Sequence, residues 1–92
     1  MSRMKRLLIR VRGSVQGVGF RVSAMVLAEE LGLSGSARND PDESVVIEVE
    51  GEDRPVGQFL IWCESGPIHA EVKTIDHTEV PTQEQSGFHI IT

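Results

Sequence analysis

The chain has 92 residues, of which 39% are apolar and 25% are charged, and its formal net charge at neutral pH is −5. This length and composition predict one globular domain over residues 1–92, and no apolar run is long enough to cross a bilayer. The single cysteine, Cys63, excludes an internal disulfide, and the histidines lack the spacing to it that a zinc site would need.

The charge is unevenly distributed along the sequence. Residues 1–46 carry seven Lys or Arg against five Asp or Glu, whereas residues 47–92 carry two against nine. A nucleic-acid-binding domain usually has a net basic surface, and stacking of bases needs aromatic side chains, which make up 4% of this chain. The pattern favours a small anion over a nucleic acid or a membrane as partner. Without an export signal, we expect a cytoplasmic protein.

The first predicted elements are a strand, a loop and a helix. Leu7, Ile9 and Val11 recur at every second position, which predicts a strand with one apolar face. A glycine-rich loop follows, and apolar residues at helical spacing then predict a helix over residues 20–31.

The rest of the chain predicts a hairpin, a second helix and two more strands. In order, these are a strand over 33–39, a turn over 40–44, a strand from Val45 that Gly51 ends, a helix that Asp53 caps and residues 65–67 end, and strands over 68–80 and 88–92. The order βαββαβ plus a short terminal strand predicts an α+β ferredoxin-like sandwich. Its sheet would be mostly antiparallel, with both helices on one face and a polar face open to water.

The stretch GSVQGVGFR, residues 13–21, indicates an anion site. Glycines permit positive φ, and a loop that leads into a helix start directs several unpaired N–H groups at one point. The stretch lacks the Lys-Ser/Thr ending of the nucleotide P-loop and the third glycine of a dinucleotide fingerprint. Arg21 would oppose the positive end of the helix dipole unless an anion lay between them. The alternative is a plain turn followed by a surface arginine.

GSVQGVGFR closely resembles the signature of the acylphosphatase family, and the resemblance continues in order through AEELGLSG, ARND, VEGE, FLIWCESGP and AEV. It implies a ferredoxin-like fold and hydrolysis of small acyl phosphates to carboxylate and inorganic phosphate, without a metal or a cofactor. By resemblance, Arg21 binds the phosphoryl group and Asn39 orients the attacking water. The residues that would bind substrate are Gly13, Ser14, Val15, Gln16, Gly17, Val18, Gly19 and Phe20.

This chemistry needs a place for phosphoryl charge and a water held in line with the leaving group. No titratable base lies in the motif, so we expect the substrate phosphate to assist the deprotonation of the water. Inorganic phosphate or sulfate should compete with the substrate, and we expect a monomer. The sequence does not indicate which acyl group is bound.

Two other functions are compatible with the same residues. A similar domain opens the large carbamoyl-transferring proteins of hydrogenase maturation, which use carbamoyl phosphate, and ferredoxin-like sandwiches also serve as non-catalytic binding modules. Because those transferases continue into further regions and this sequence stops at Thr92, a stand-alone enzyme is favoured.

Two departures from the family pattern lie on either side of Asn39. Relatives often have Gly-Trp where this chain has Gly35-Ser36, and Asp-Gly where it has Asp42-Glu43. We expect lost apolar packing at the first position and a costlier backbone conformation at the second.

Overall fold

The computed structural model describes residues 3–92, so Met1 and Ser2 of the predicted domain lie outside the described residues. Two helices pack on one sheet of five strands, which confirms the predicted α+β ferredoxin-like sandwich. The elements are β1 (Met4–Ser14), α1 (Phe20–Glu30), β2 (Ser34–Asn39), β3 (Val45–Glu52), α2 (Asp53–Cys63), β4 (Glu71–Val80) and β5 (Phe88–Ile91).

The strands lie in the order β4-β1-β3-β2-β5. Neighbouring strands are antiparallel except for β5, which pairs in parallel with β2. The sheet is therefore mostly antiparallel, as predicted, and the terminal strand extends it at one edge.

The core lies between the helices and one face of the sheet. The alternation predicted for β1 buries Leu7, Ile9 and Val11 on this face, and β3 contributes its own alternate apolar residues. Cys63 is fully buried at the end of α2. Burial, aided by the nearby charge of Glu64, raises the pKa of the Cys63 thiol far above its usual value, so this side chain is part of the core and not a nucleophile.

Two predicted boundaries around β3 are wrong. Gly51 does not end the strand, because it pairs with Lys5 of β1 and the strand continues to Glu52. A Cβ at Gly51 would lie 2.3 Å from the Leu33 side chain, so the glycine permits close packing. Asp53 does not cap α2 either. It is the first helical residue, and its negative charge interacts favourably with the positive end of the helix dipole. One of its carboxylate oxygens also lies 3.2 Å from Lys5 Nζ.

Other boundaries shift less. The last long strand begins at Glu71, and residues 68–70 precede it as turn. Helix α1 ends at Glu30, one residue before the predicted end.

The sheet face away from the helices is only partly open to water, contrary to expectation. Arg6 and Glu50 lie on it with exposed fractions of 2% and 3%. The connection from β4 to β5 covers them, since the backbone N–H groups of Gln83 and Glu84 donate to the Glu50 carboxylate over 2.7 and 3.0 Å. Arg6 completes this buried cluster with a 3.1 Å bond to Glu50. A buried ion pair of this kind requires such added hydrogen bonds.

Candidate active site

Two glycines shape the loop between β1 and α1. Gly17 and Gly19 have φ of 74° and 77°, in the left-handed region that favours glycine. A Cβ at either position would meet no atom of residues 3–92 within 4 Å. Backbone conformation therefore requires the glycines, and the space beside them is free for an incoming group.

The start of α1 leaves backbone donors unpaired. Gly19 is the residue before the helix, no side chain caps the N-terminus, and the first turn has no acidic residue. The first intrahelical bond runs from the Ser23 N–H to the Gly19 carbonyl oxygen over 3.0 Å. The N–H groups of Phe20, Arg21 and Val22 precede it and have no intrahelical acceptor. An anion could use these donors and the positive end of the helix dipole.

A hollow of about 80 Å³ lies at this helix start. Asn39, the last residue of β2, reaches it from the sheet, so the fold brings together the two residues that the family resemblance singled out, Arg21 and Asn39. The residues that line the hollow are Val15, Gly17, Gly19, Phe20, Arg21, Val22 and Asn39.

Arg21 is half-buried, and β5 holds its side chain. Its Nη1 donates to the carbonyl oxygen of Ile91 over 3.3 Å. Within residues 3–92, Arg21 forms no ion pair with any carboxylate. The positive charge beside the hollow is therefore uncompensated by the protein.

Other arginines close to the site are paired. Arg10 Nη1 lies 3.1 Å from an oxygen of Asp42, and Arg12 Nη1 lies 2.9 Å from an oxygen of Asp76. Arg38 Nη1 donates to Asp40 over 2.7 Å, and this bond, with the Asp42 N–H and the charge of Arg10, lowers the pKa of Asp40 to about 2. A carboxylate of the protein therefore balances the charge of each of these arginines.

Gln16 connects the loop to the β2–β3 hairpin. Its Nε2 donates to the carbonyl oxygens of Asp40 and Ser44, each over 2.9 Å. Asp40 follows Asn39 directly, so these bonds fix the end of β2 relative to the loop.

Only some of the predicted substrate-binding residues line the hollow. Val15, Gly17, Gly19 and Phe20 line the hollow, whereas Val18 packs partly against the core. Gly13 and Ser14 belong to β1, and with Gln16 they line a separate, larger cavity.

Gly13 has a structural role within β1. A Cβ there would lie 2.1 Å from the Glu71 carbonyl oxygen, at the irregularity where β1 pairs with β4.

Sequence reasoning missed Val22, although its position in the first turn of a predicted helix already indicated an unpaired N–H.

The two departures from the family pattern have different consequences. Ser36 pairs with Glu48, on the face away from the helices, so the missing tryptophan leaves the main core unchanged. Glu43 adopts a φ of 74° in the hairpin, which confirms the expected strained conformation where relatives often have glycine.

The three histidines of the chain are exposed: His69, His77 and His89. Among residues 3–92, no three His, Cys, Asp or Glu side chains group as a metal site would require. In the same part of the chain, no helix has both the length and the apolar character to cross a membrane.

Comparisons with known proteins agree on one family. A family model described as Acylphosphatase matches residues 7–90. A curated acylphosphatase from Roseiflexus sp. (strain RS-1) is 46% identical over 92 residues, covering 99% of each chain. The structure of an acylphosphatase from Coxiella burnetii superposes with a TM-score of 0.92 at 31% identity, covering 96% of this chain and 93% of that one. Full-length HypF, in a phosphate- and nucleotide-bound form, matches all of this chain with 12% of its own length, at 29% identity and a TM-score of 0.92.

Proposed function

This chain belongs to the acylphosphatase family and is an acylphosphatase enzyme, and on that premise we propose how its residues hydrolyse a small acyl phosphate without a metal. The observation that carries the proposal is that Arg21, which forms no ion pair within residues 3–92, the uncapped helix N–H groups and Asn39 meet around one small hollow. The products are a carboxylate and inorganic phosphate.

Phosphate binding is assigned to the loop and Arg21. The N–H groups at the helix start and the guanidinium would share the negative charge of the phosphoryl oxygens. The cation that opposes the helix dipole in the free protein would then be separated from it by an anion. Inorganic phosphate or sulfate would bind in the same way and compete.

Water positioning is assigned to Asn39. Its side-chain oxygen can accept a hydrogen bond from water and its NH₂ group can donate to a phosphoryl oxygen, which would hold the water in line with the bond that breaks. The water oxygen attacks phosphorus, the bond between phosphorus and the acyl oxygen breaks, and the carboxylate leaves with the electron pair.

The proton of the water requires an acceptor. Among the residues that the structure describes, no Asp, Glu or His lines the hollow. We assign this role to a phosphoryl oxygen of the substrate. Activity should therefore stay level across neutral pH, because no protein group that titrates there takes part.

Hydrolysis is favoured over the other functions considered. The Roseiflexus relative that matches 99% of both chains is named acylphosphatase, whereas this chain corresponds to only 12% of HypF. We also propose that the protein is a monomer, because one chain supplies both Arg21 and Asn39 to the hollow. Size-exclusion chromatography with light scattering would test the oligomeric state.

The decisive assay is hydrolysis of benzoyl phosphate in the presence of a metal chelator. We expect full activity with the chelator and competitive inhibition by inorganic phosphate. Activity that required an added metal would overturn the proposed metal-free mechanism. Inhibition by phosphate that was not competitive would remove the hollow as the phosphoryl site.

A further inference from the structure

A second cavity, of about 560 Å³, is lined by the end of β1, the start of the loop, the β2–β3 hairpin and β4. We propose that it receives the acyl group and favours the acyl phosphate of an amino acid side chain, a substrate class whose free end carries both an ammonium and a carboxylate. This proposal rests on the proposed function and adds a preference among its substrates.

The cavity adjoins the hollow through Val15, which lines both. An in-line displacement requires the water and the leaving group on opposite sides of phosphorus. Asn39 lies on β2, and Lys73, which lines the second cavity, lies on β4. The sheet order places β3 and β1 between those strands, so a leaving group directed away from Asn39 is directed towards Lys73.

The charged side chains that line this cavity fall into two groups, those that form ion pairs within the protein and those that do not. Arg12 and Asp42 also line it, but Arg12 pairs with Asp76 and Asp42 pairs with Arg10. Lys73 and Glu43 are exposed, and neither forms an ion pair or side-chain hydrogen bond with any residue from 3 to 92. The wall therefore offers one available cation and one available anion.

An amino acid group complements both charges. Its carboxylate would pair with the Lys73 ammonium and its ammonium with the Glu43 carboxylate. A simple dicarboxylic acyl group would satisfy Lys73 but would be repelled by Glu43, and an alkyl group would satisfy neither. Glu43 also occupies a left-handed backbone position, which is disfavoured for a residue with a side chain.

The test compares three substrates, namely the acyl phosphates of the aspartate side chain, of succinate and of acetate. Wild type, Lys73→Gln and Glu43→Gln are assayed for kcat/KM by initial phosphate release. We expect Lys73→Gln to lower the aspartyl-to-acetyl ratio by about twofold to fivefold, as for a solvent-exposed ion pair. Glu43→Gln should lower the same ratio and raise the succinyl-to-acetyl ratio. Lys5→Gln is the matched control, because it removes a lysine charge that pairs with Asp53. It should leave all ratios unchanged.

The outcomes separate this proposal from the proposed function. If wild type hydrolyses acetyl phosphate but neither variant changes the aspartyl-to-acetyl ratio, the second cavity does not select the acyl group. An effect of Lys73→Gln alone would indicate a preference for dicarboxylic acyl groups and would overturn the amino acid preference. If wild type hydrolysed none of the three substrates, the proposed function itself would fail.

Discussion

The side-chain nitrogen of Gln16 lies 2.9 Å from the backbone carbonyl oxygen of Ser44 and donates a hydrogen bond to it. The same nitrogen donates to Asp40 across the hairpin. One amide group thus joins the loop proposed to bind phosphate to the hairpin that carries Asn39. The relative position of the two halves of the site depends on this contact.

Replacement of Gln16 by alanine should disturb the alignment of the site. We expect Gln16→Ala to lower kcat more than it weakens inhibition by phosphate, because the loop amides remain while Asn39 shifts. The loss of two hydrogen bonds should reduce the free energy of unfolding by about 1–2 kcal/mol. Steady-state kinetics and urea unfolding measure both effects. Gln58→Ala, at an exposed site on α2, is the control, and equal effects in the two variants would contradict the prediction.

Arg21 should be required for activity but not for stability. We expect Arg21→Lys to lower kcat/KM by about 10²- to 10³-fold, as for other lost transition-state donors, because an ammonium cannot bind two oxygens as the planar fork does. The free energy of unfolding should change by no more than about 1 kcal/mol, because Arg21→Lys keeps a cation at the helix start and puts at risk only the hydrogen bond to the Ile91 carbonyl oxygen. Arg54→Lys, on α2, serves as control. Normal turnover by Arg21→Lys would contradict the assignment.

Asn39 should affect turnover without affecting phosphate binding. Asn39→Ala removes the group proposed to hold the water, and we expect a loss of about 10²- to 10⁴-fold in kcat with an unchanged inhibition constant for phosphate. Asn39→Asp places a negative charge beside the hollow and should weaken phosphate binding as well. A large change in phosphate affinity for Asn39→Ala would instead assign Asn39 to binding.

The hairpin should become more stable when glycine replaces Glu43. A left-handed conformation is unfavourable for a residue with a Cβ by about 1–2 kcal/mol, and glycine removes most of this penalty. We expect Glu43→Gly to raise the free energy of unfolding by about 0.5–1 kcal/mol. Glu64, at φ −64°, provides the control, and Glu64→Gly should give no gain. A stability loss in Glu43→Gly would show that the side chain stabilises the hairpin.

Glu50 should make the protein sensitive to acid. Burial alone would raise its pKa, but hydrogen bonds from the Gln83 and Glu84 N–H groups and from Arg6 outweigh burial and lower the pKa below 4.5. A carboxyl whose pKa is lower in the folded state stabilises the fold above its unfolded pKa. That contribution is lost as the pH falls through the folded pKa.

Glu50→Gln tests this contribution. We expect the variant to be less stable than wild type by about 1–3 kcal/mol at neutral pH, and the difference should shrink as the pH falls below 4.5 and through the lowered pKa of Glu50. Urea unfolding at several pH values measures it. Asp40 titrates in both proteins and cancels in the difference. A difference that stayed constant with pH would assign the effect to packing.

The sequence by itself determined the order of the elements, the sandwich and the position of the loop that we propose to bind an anion. These features depend on short-range patterns, such as the alternation in β1 and the glycines before α1. The family motif added Asn39, which no local pattern distinguishes from an ordinary turn residue, and the missing hairpin glycine predicted the strained backbone at Glu43.

Only the tertiary structure decided which distant groups meet. The continuation of β3 through Gly51, the burial of Arg6 and Glu50 under the β4–β5 connection, and the contact of Gln16 with the hairpin all join residues far apart in the chain. The same holds for the pairing of Arg10, Arg12 and Arg38, which leaves Arg21 uncompensated beside the hollow. Periodicity reports which face of an element is apolar, whereas the partner of a charge or amide depends on how the elements pack.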